Sequence, residues 1–249
     1  MQADYVIVGG GSAGCVLAAR LSEQADVRVV LIEAGGDGKG FLVSMPAGYG
    51  KTTGEFGHSW HYHSAPEASI GGRKMLLPRG RGLGGSSNIN GLLYVRGQPA
   101  DYDHWRQLGL TGWGWDDVLP YFRKSEDHWG GESAMHGAGG EWRVERQRLN
   151  WDILNAVQEG AKQFGILPRD DFNDGSNEGS GFFDVNQARG IRWSSARGFL
   201  RPALRRGNLR VVTHALVTRI RSEGRRATGV EWLLNNVPHA ASAGAEVIL

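Results

Sequence analysis

Near the start of the chain an apolar run rich in β-branched residues, Tyr5-Val6-Ile7-Val8, stands directly after the charged Asp4. A second such run spans Val27 to Ile32 and ends on Glu33. Short runs of this kind predict buried strands. Between them Ala13 to Leu21 carries few polar residues and predicts a helix, so the chain opens as strand, turn, helix and strand. Further along, Ile153, Val157, Ala161 and Phe164 fall on one face of a helix predicted over 152–164. The aromatics Trp105, Trp113, Trp115, Tyr121 and Phe122 sit in or before an amphipathic helix that Asp116 is placed to cap, and core packing is expected for them. Residues 129–150 and 165–191 read as glycine-rich or Gly/Asn/Asp-rich irregular stretches. From Asn208 the period changes to β: Leu209 to Thr213, Leu216 to Arg221, a turn over 223–226, and Ala227 to Leu234. The final run, Glu246-Val247-Ile248-Leu249, is predicted as a parallel strand at the centre of the sheet.

Composition narrows the class. With 249 residues, 40% apolar and 22% charged, the chain is long and apolar enough for a sizeable core. Its 28 basic and 26 acidic residues are spread out, leaving a net charge of +2 and no electrostatic footprint for nucleic acid. The single Cys15 excludes an intrachain disulfide and falls in a predicted helix, which suits a buried thiol and a reducing, cytoplasmic location. No basic stretch followed by an apolar signal region opens the chain, and no stretch approaches the roughly 18 apolar residues of a membrane span. Glycine is the outlier at 39 residues, about twice the usual share of roughly 7%. The glycines cluster at 9–14, 35–40, 80–85 and 130–140 rather than repeating, as expected where backbone must approach another group closely.

The first cluster carries a chemistry. Gly9-Gly10-Gly11-Ser12-Ala13-Gly14 fits G-x-G-x-x-G between a strand and a helix. In that setting Gly9 permits the tight turn, Gly11 lets backbone approach a pyrophosphate without a Cβ, and Gly14 packs helix on strand. The helix N-terminus then offers N–H groups and a positive dipole end to phosphate, with Ser12 and Ala13 in its first turn. Glu33, nineteen residues beyond Gly14, is placed to accept hydrogen bonds from a ribose diol, and Ala34 follows it. NAD and FAD enzymes share this unit, so it leaves the dinucleotide open.

A second segment separates the two. Residues 78–97, Pro-Arg-Gly-Arg-Gly-Leu-Gly-Gly-Ser-Ser-Asn-Ile-Asn-Gly-Leu-Leu-Tyr-Val-Arg-Gly, closely resemble a signature of the glucose-methanol-choline oxidoreductases. The resemblance implies that Gly84, Gly85 and Ser86 face the diphosphate side of FAD, while Asn90, Gly91 and Leu93 approach the isoalloxazine; Arg81, just upstream, is a further cofactor-binding candidate. Relatives that attach FAD covalently use a histidine where this chain has Ile89, so a noncovalent flavin is expected. Residues 59–67 resemble the family's tryptophan-containing stretch near the adenine, which makes Trp60 a cofactor-side candidate beside its ordinary packing role. Residues 192–202 resemble its R-x-S-A-x-x-F-L-x-P segment. A valine whose backbone meets adenine corresponds to Val217. His58, His61 and His63 have no Cys or Asp/Glu partner nearby to complete a metal set, and no metal is expected.

The fold class so implied is α/β: an FAD/NAD(P)-binding Rossmann-like domain with a β-meander and part of an inserted substrate domain, truncated relative to the family. Residues 1–150 and 192–249 are expected to form the incomplete FAD-binding domain, and 151–191 the start of a substrate-binding lobe. The implied activity is oxidation of an alcohol of choline, primary-alcohol or polyol type by hydride transfer to flavin. The family's His-His or His-Asn pair would lie beyond Leu249, in a C-terminal segment expected as this chain's partner. No catalytic residue is therefore assigned within it, and the chain alone is expected to be inactive. Two other readings stand beside this one: a noncatalytic FAD-binding fragment, and an NAD-dependent Rossmann enzyme, which leaves residues 78–97 without a role.

Overall fold

A computed structural model describes residues 1–54 and 58–249. It divides into two compact units, Met1–Gly91 with Ile191–Leu249, and Leu92–Gly190.

The first unit is built on a six-stranded mixed sheet. Strand β1 (Gln2–Val8) leads into helix α1 (Ser12–Leu21) and strand β2 (Val29–Ile32). All four residues of β2 are buried, which explains why its sequence is continuously apolar rather than alternating. The sheet runs in the order Leu209–Val212, β2, β1, Val237–Ile248, Arg226–Leu234, Ala215–Glu223. The first four strands are parallel, and the last three form an antiparallel meander. The strand predicted at 246–249 is longer than the sequence suggested: it begins at Val237 and pairs Val6 with Val247 and Ile7 with Ile248. Its earlier half is masked because exposed Pro238, His239 and Ala240 carry no apolar alternation. On one face of the sheet Val6, Val30, Ile32, Val230, Trp232 and Ala241 form the buried core. On α1 the buried positions are all small, Gly14, Cys15, Ala18 and Ala19, which lets the helix approach its neighbours closely.

The second unit holds helices Pro99–Gln107, Trp115–Ser125 and Asp152–Gln163. Three expectations change here. Residues 129–150 contain a strand, Trp142–Arg146, pairing parallel to Glu126–His128 and antiparallel to Asp184–Val185; only Val144 of it is fully buried, so its charged residues hid it. The cap of Trp115–Ser125 is not Asp116: the N-cap is Gly114, whose N–H donates to the Asp117 carboxylate at 2.9 Å. Of the aromatics expected in the core, Trp115 is buried against Tyr102 and Phe122, whereas Trp105, Trp113 and Tyr121 are 41%, 53% and 73% exposed. Strand pairing between residues 126–146 and 184–185 places both segments in one compact unit. The 152–163 helix has no buried residue, and Ile153 and Val157 on its apolar face are 65% and 61% exposed.

Inside this unit lies a buried ionic network. Arg96 Nη2 and Glu126 Oε2 are 2.9 Å apart, with side chains 2% and 0% exposed. The His136 ring joins Glu126 through Nδ1 at 3.1 Å and Asp171 through Nε2 at 2.8 Å, while the Gly137 N–H donates to Glu126. Burial alone lowers the His136 pKa, but the hydrogen bonds to Asp171 and Glu126 override it and raise it to about 9. The same contacts hold both carboxyls below their ordinary values against the opposing effect of burial.

Candidate dinucleotide-binding site

The first glycine loop leaves β1 with the Gly9 N–H donating to Ile32 O at 2.8 Å and Gly9 at φ 94°. A Cβ on Gly14 would stand 2.0 Å from Gly9 O, so the turn into α1 closes only without one. A Cβ on Gly11 would meet nothing within 4 Å, because that side opens to a cleft. Gly11 is the N-cap of α1, no side chain caps the helix, and no acid lies in its first turn, where Ser12 and Ala13 are exposed. The arrangement leaves a positive helix end available to an anion.

The second motif packs on the first, backbone to backbone. Gly84 N–H donates to Gly10 O at 2.7 Å, and a Cβ on Gly85, at φ 50°, would lie 2.6 Å from Gly11 Cα. Glu33 ties the two together. Its buried carboxylate accepts from Gly10 N–H through Oε2 at 2.7 Å, and from Gly35 and Gly82 N–H through Oε1 at 2.7 and 2.9 Å. The residue singled out for a ribose thus has a second task that the sequence did not suggest. Several glycines likewise serve the approach of one loop to another: a Cβ on Gly35 would meet Gly82 N at 2.3 Å, and one on Gly80 would meet Gly85 at 2.1 Å.

The cleft has a volume of about 260 Å³ and is lined by Val8, Gly9, Gly11, Ile32, Glu33, Ala34, Trp60, Gly80, Ala215, Leu216 and Val217. At one side Arg81 Nη2 donates to Ala34 O at 3.3 Å and its guanidinium lies 5.0 Å from the Trp60 ring centre; Trp60 in turn stacks on Tyr62. Ser86 Oγ accepts from the Gly80 N–H, and Asn90 and Gly91 are exposed at the end of the motif. Leu93 belongs to the second unit, where it bridges Val185 and is 57% exposed. Ile89 is buried at 3% exposure. Among the described residues no three His, Cys, Asp or Glu side chains are grouped to hold a metal.

Sequence reading passed over residues that hold the motif from behind. Ser195 N–H donates to Ser87 Oγ at 3.0 Å, Ser87 Oγ donates to Gly84 O at 2.5 Å, and Arg192 reaches Ser87 and Asn90. Their signal was present in the segment 192–202, whose order of residue types was noted without a role. Cys15 is buried beneath the loop with Sγ 3.2 Å from Gly10 O, and burial pushes its pKa up to about 11. It should therefore resist a maleimide at pH 8 in the native chain and react fully in denaturant; rapid native labelling would contradict this packing.

Two crossed glycine loops around a buried acid at the carboxyl ends of parallel strands are the geometry of dinucleotide binding. The family model described as GMC oxidoreductase matches residues 3–249. The chain belongs to the GMC oxidoreductase family. It is 42% identical over its full length to an oxygen-dependent choline dehydrogenase of Rhizobium johnstonii, and 41% identical to one of Brucella ovis; in each case the match covers 100% of this chain and 45% of the relative. The chain thus spans about half the length of these relatives. Among solved structures, pyridoxine 4-oxidase from Mesorbium loti matches with a TM-score of 0.94 at 33% identity, covering 98% of this chain and 48% of that one. A formate oxidase variant from Aspergillus oryzae matches with a TM-score of 0.89 at 26% identity, covering 100% and 45%. GMC oxidoreductases bind FAD, and the matched region is the FAD-binding part of the family. No helix of the described residues is long and apolar enough to cross a membrane.

Proposed function

We propose that this chain holds FAD noncovalently in the cleft between its two glycine loops and is the cofactor-binding half of an enzyme that oxidises an alcohol. The observation that carries the reading is the junction of the two loops around Glu33, which leaves Gly9 and Gly11 with no Cβ on the cleft side. The α1 N-terminus, Gly84, Gly85 and Ser86 would take the diphosphate, and the remaining acceptor position of Glu33 the ribose. Ala34, Trp60, Arg81 and the Val217 backbone would frame the adenine, and Asn90, Gly91 and Leu93 the isoalloxazine. Ile89 offers no nucleophile for a covalent link, which favours a dissociable flavin. Bound there, the flavin would supply a two-electron acceptor; the chain's residues would orient it and exclude water from its phosphates.

The substrate would be a small alcohol of choline, primary-alcohol or polyol type, and turnover would require a C-terminal region of the kind the relatives possess. A chain that binds flavin without turning over is the second reading. FAD should raise the unfolding temperature of the purified chain while NAD does not, and acid precipitation should release the flavin into the supernatant. Stabilisation by NAD alone would refute the flavin assignment, and yellow colour retained in the pellet would refute its noncovalent nature. Adding the C-terminal region and an alcohol should bleach the flavin if the first reading holds, and leave it yellow if the second does.

A further inference from the structure

Arg192 is 2% exposed, and among the described residues it meets neutral acceptors. Its Nε donates to Val43 O at 3.1 Å, and Nη1 donates to Ser87 O at 3.2 Å and to both Asn90 O and Asn90 Oδ1 at 2.8 Å. Nη2 is buried and finds no hydrogen-bond partner among the described residues. No carboxylate among them pairs with this guanidinium, and burial lowers its pKa only to about 10, so it remains a cation at neutral pH. An arginine that merely stitched loops together would be expected to use all its donors or to meet an acid, since a lone buried charge is costly.

The position of this charge gives it a role. Its strongest contacts are to Asn90, the exposed residue at the end of the second motif. Arg192 thus grips Asn90 through both its backbone oxygen and its side-chain Oδ1. We propose that Arg192 is a positioning residue for the flavin: it fixes Asn90 through the backbone oxygen and Oδ1 and sets a positive charge, unpaired by any acid among the described residues, behind the segment proposed to approach the isoalloxazine. The inference rests on the flavin reading above and adds a consequence to it. Reduction adds negative charge to the ring, so a buried cation nearby favours the reduced form more than the oxidised form.

The test uses FAD titrated onto the chain, with three readouts: affinity, visible absorption and midpoint potential. Arg192→Met should lower the potential by about 30 mV or more, the two-electron equivalent of a tenfold shift, with a smaller change in FAD affinity. Arg192→Lys keeps the charge but not the grip on Asn90. It should retain most of the potential while shifting the flavin spectrum in the same direction as Asn90→Ala. Should Arg192→Met fail to fold, the Lys variant and Asn90→Ala decide: matching spectral shifts that do not add in the double variant support the coupling, and additive shifts overturn it. FAD uptake with an unchanged potential in Arg192→Met overturns this inference alone. Failure of the unsubstituted chain to take up FAD overturns the flavin reading, and this inference with it.

Discussion

Replacing Glu33 with alanine is expected to destabilise the sheet unit by about 3–9 kcal/mol, since it strands three buried N–H groups, each of which costs about 1–3 kcal/mol when left unpaired. The three donors come from different places along the chain: Gly10 in the first loop, Gly35 just beyond β2, and Gly82 in the second motif. The loss would take much of the 5–15 kcal/mol typical of a domain and separate the two loops that form the cleft. FAD uptake should vanish with it. Glu33→Gln tests the account more finely. The amide can keep its oxygen toward Gly35 and Gly82 but must then present its NH₂ to the Gly10 N–H, for an expected loss of about 2 kcal/mol. Denaturant titration of both variants, with FAD binding alongside, checks the order. If Glu33→Ala unfolded at the parent's midpoint and lost only FAD, the carboxylate would act at the ribose and not as the tie.

That double role shows where sequence reasoning stops. The strand, glycine loop and helix at the N-terminus were legible because each level agrees: β-branched residues in β1 and β2, glycines where a Cβ would collide, and small residues where α1 packs. The meander was legible from its period of two. What stayed hidden is long-range. Glu33 reaches Gly82 across 49 positions, and Arg192 reaches Asn90 across 102, so neither contact leaves a local pattern. The second unit was read less well for a related reason. Residues 142–146 look like a polar connection because their partners at 126–128 and 184–185 are distant, and Trp113 and Tyr121 look like core because aromatic character alone does not reveal a side chain's neighbours.

The second large effect lies in that unit and is read through pH. The folded pKa of His136 is raised from 6.5 to about 9, so its protonated form contributes stability that is complete below 6.5 and lost as pH rises through about 9. Glu126 and Asp171 are held below their ordinary 4.5 and 3.8, so their contribution is present above those values and lost as pH falls through the depressed ones. Support from the network is therefore greatest between about pH 4.5 and 6.5, and weakens first on the alkaline side. The neighbouring groups set this balance. Arg96 faces Glu126, His128 stacks on His136 with ring centres 3.8 Å apart, and Asp184 holds His128 at 3.0 Å. With His136 neutral, Arg96 is left as the principal cation facing the fully buried Glu126. Arg96→Met should accordingly cost about 3–5 kcal/mol, the penalty for removing one partner of a buried pair, and should steepen the loss of stability above pH 7. His136→Gln should lower stability at pH 6 yet flatten the profile from pH 6.5 to 9, because nothing at that position then titrates. Urea unfolding of the parent and both variants at pH 6, 7.5 and 9 measures these slopes. Parallel profiles for the parent and His136→Gln would show that the alkaline loss arises elsewhere.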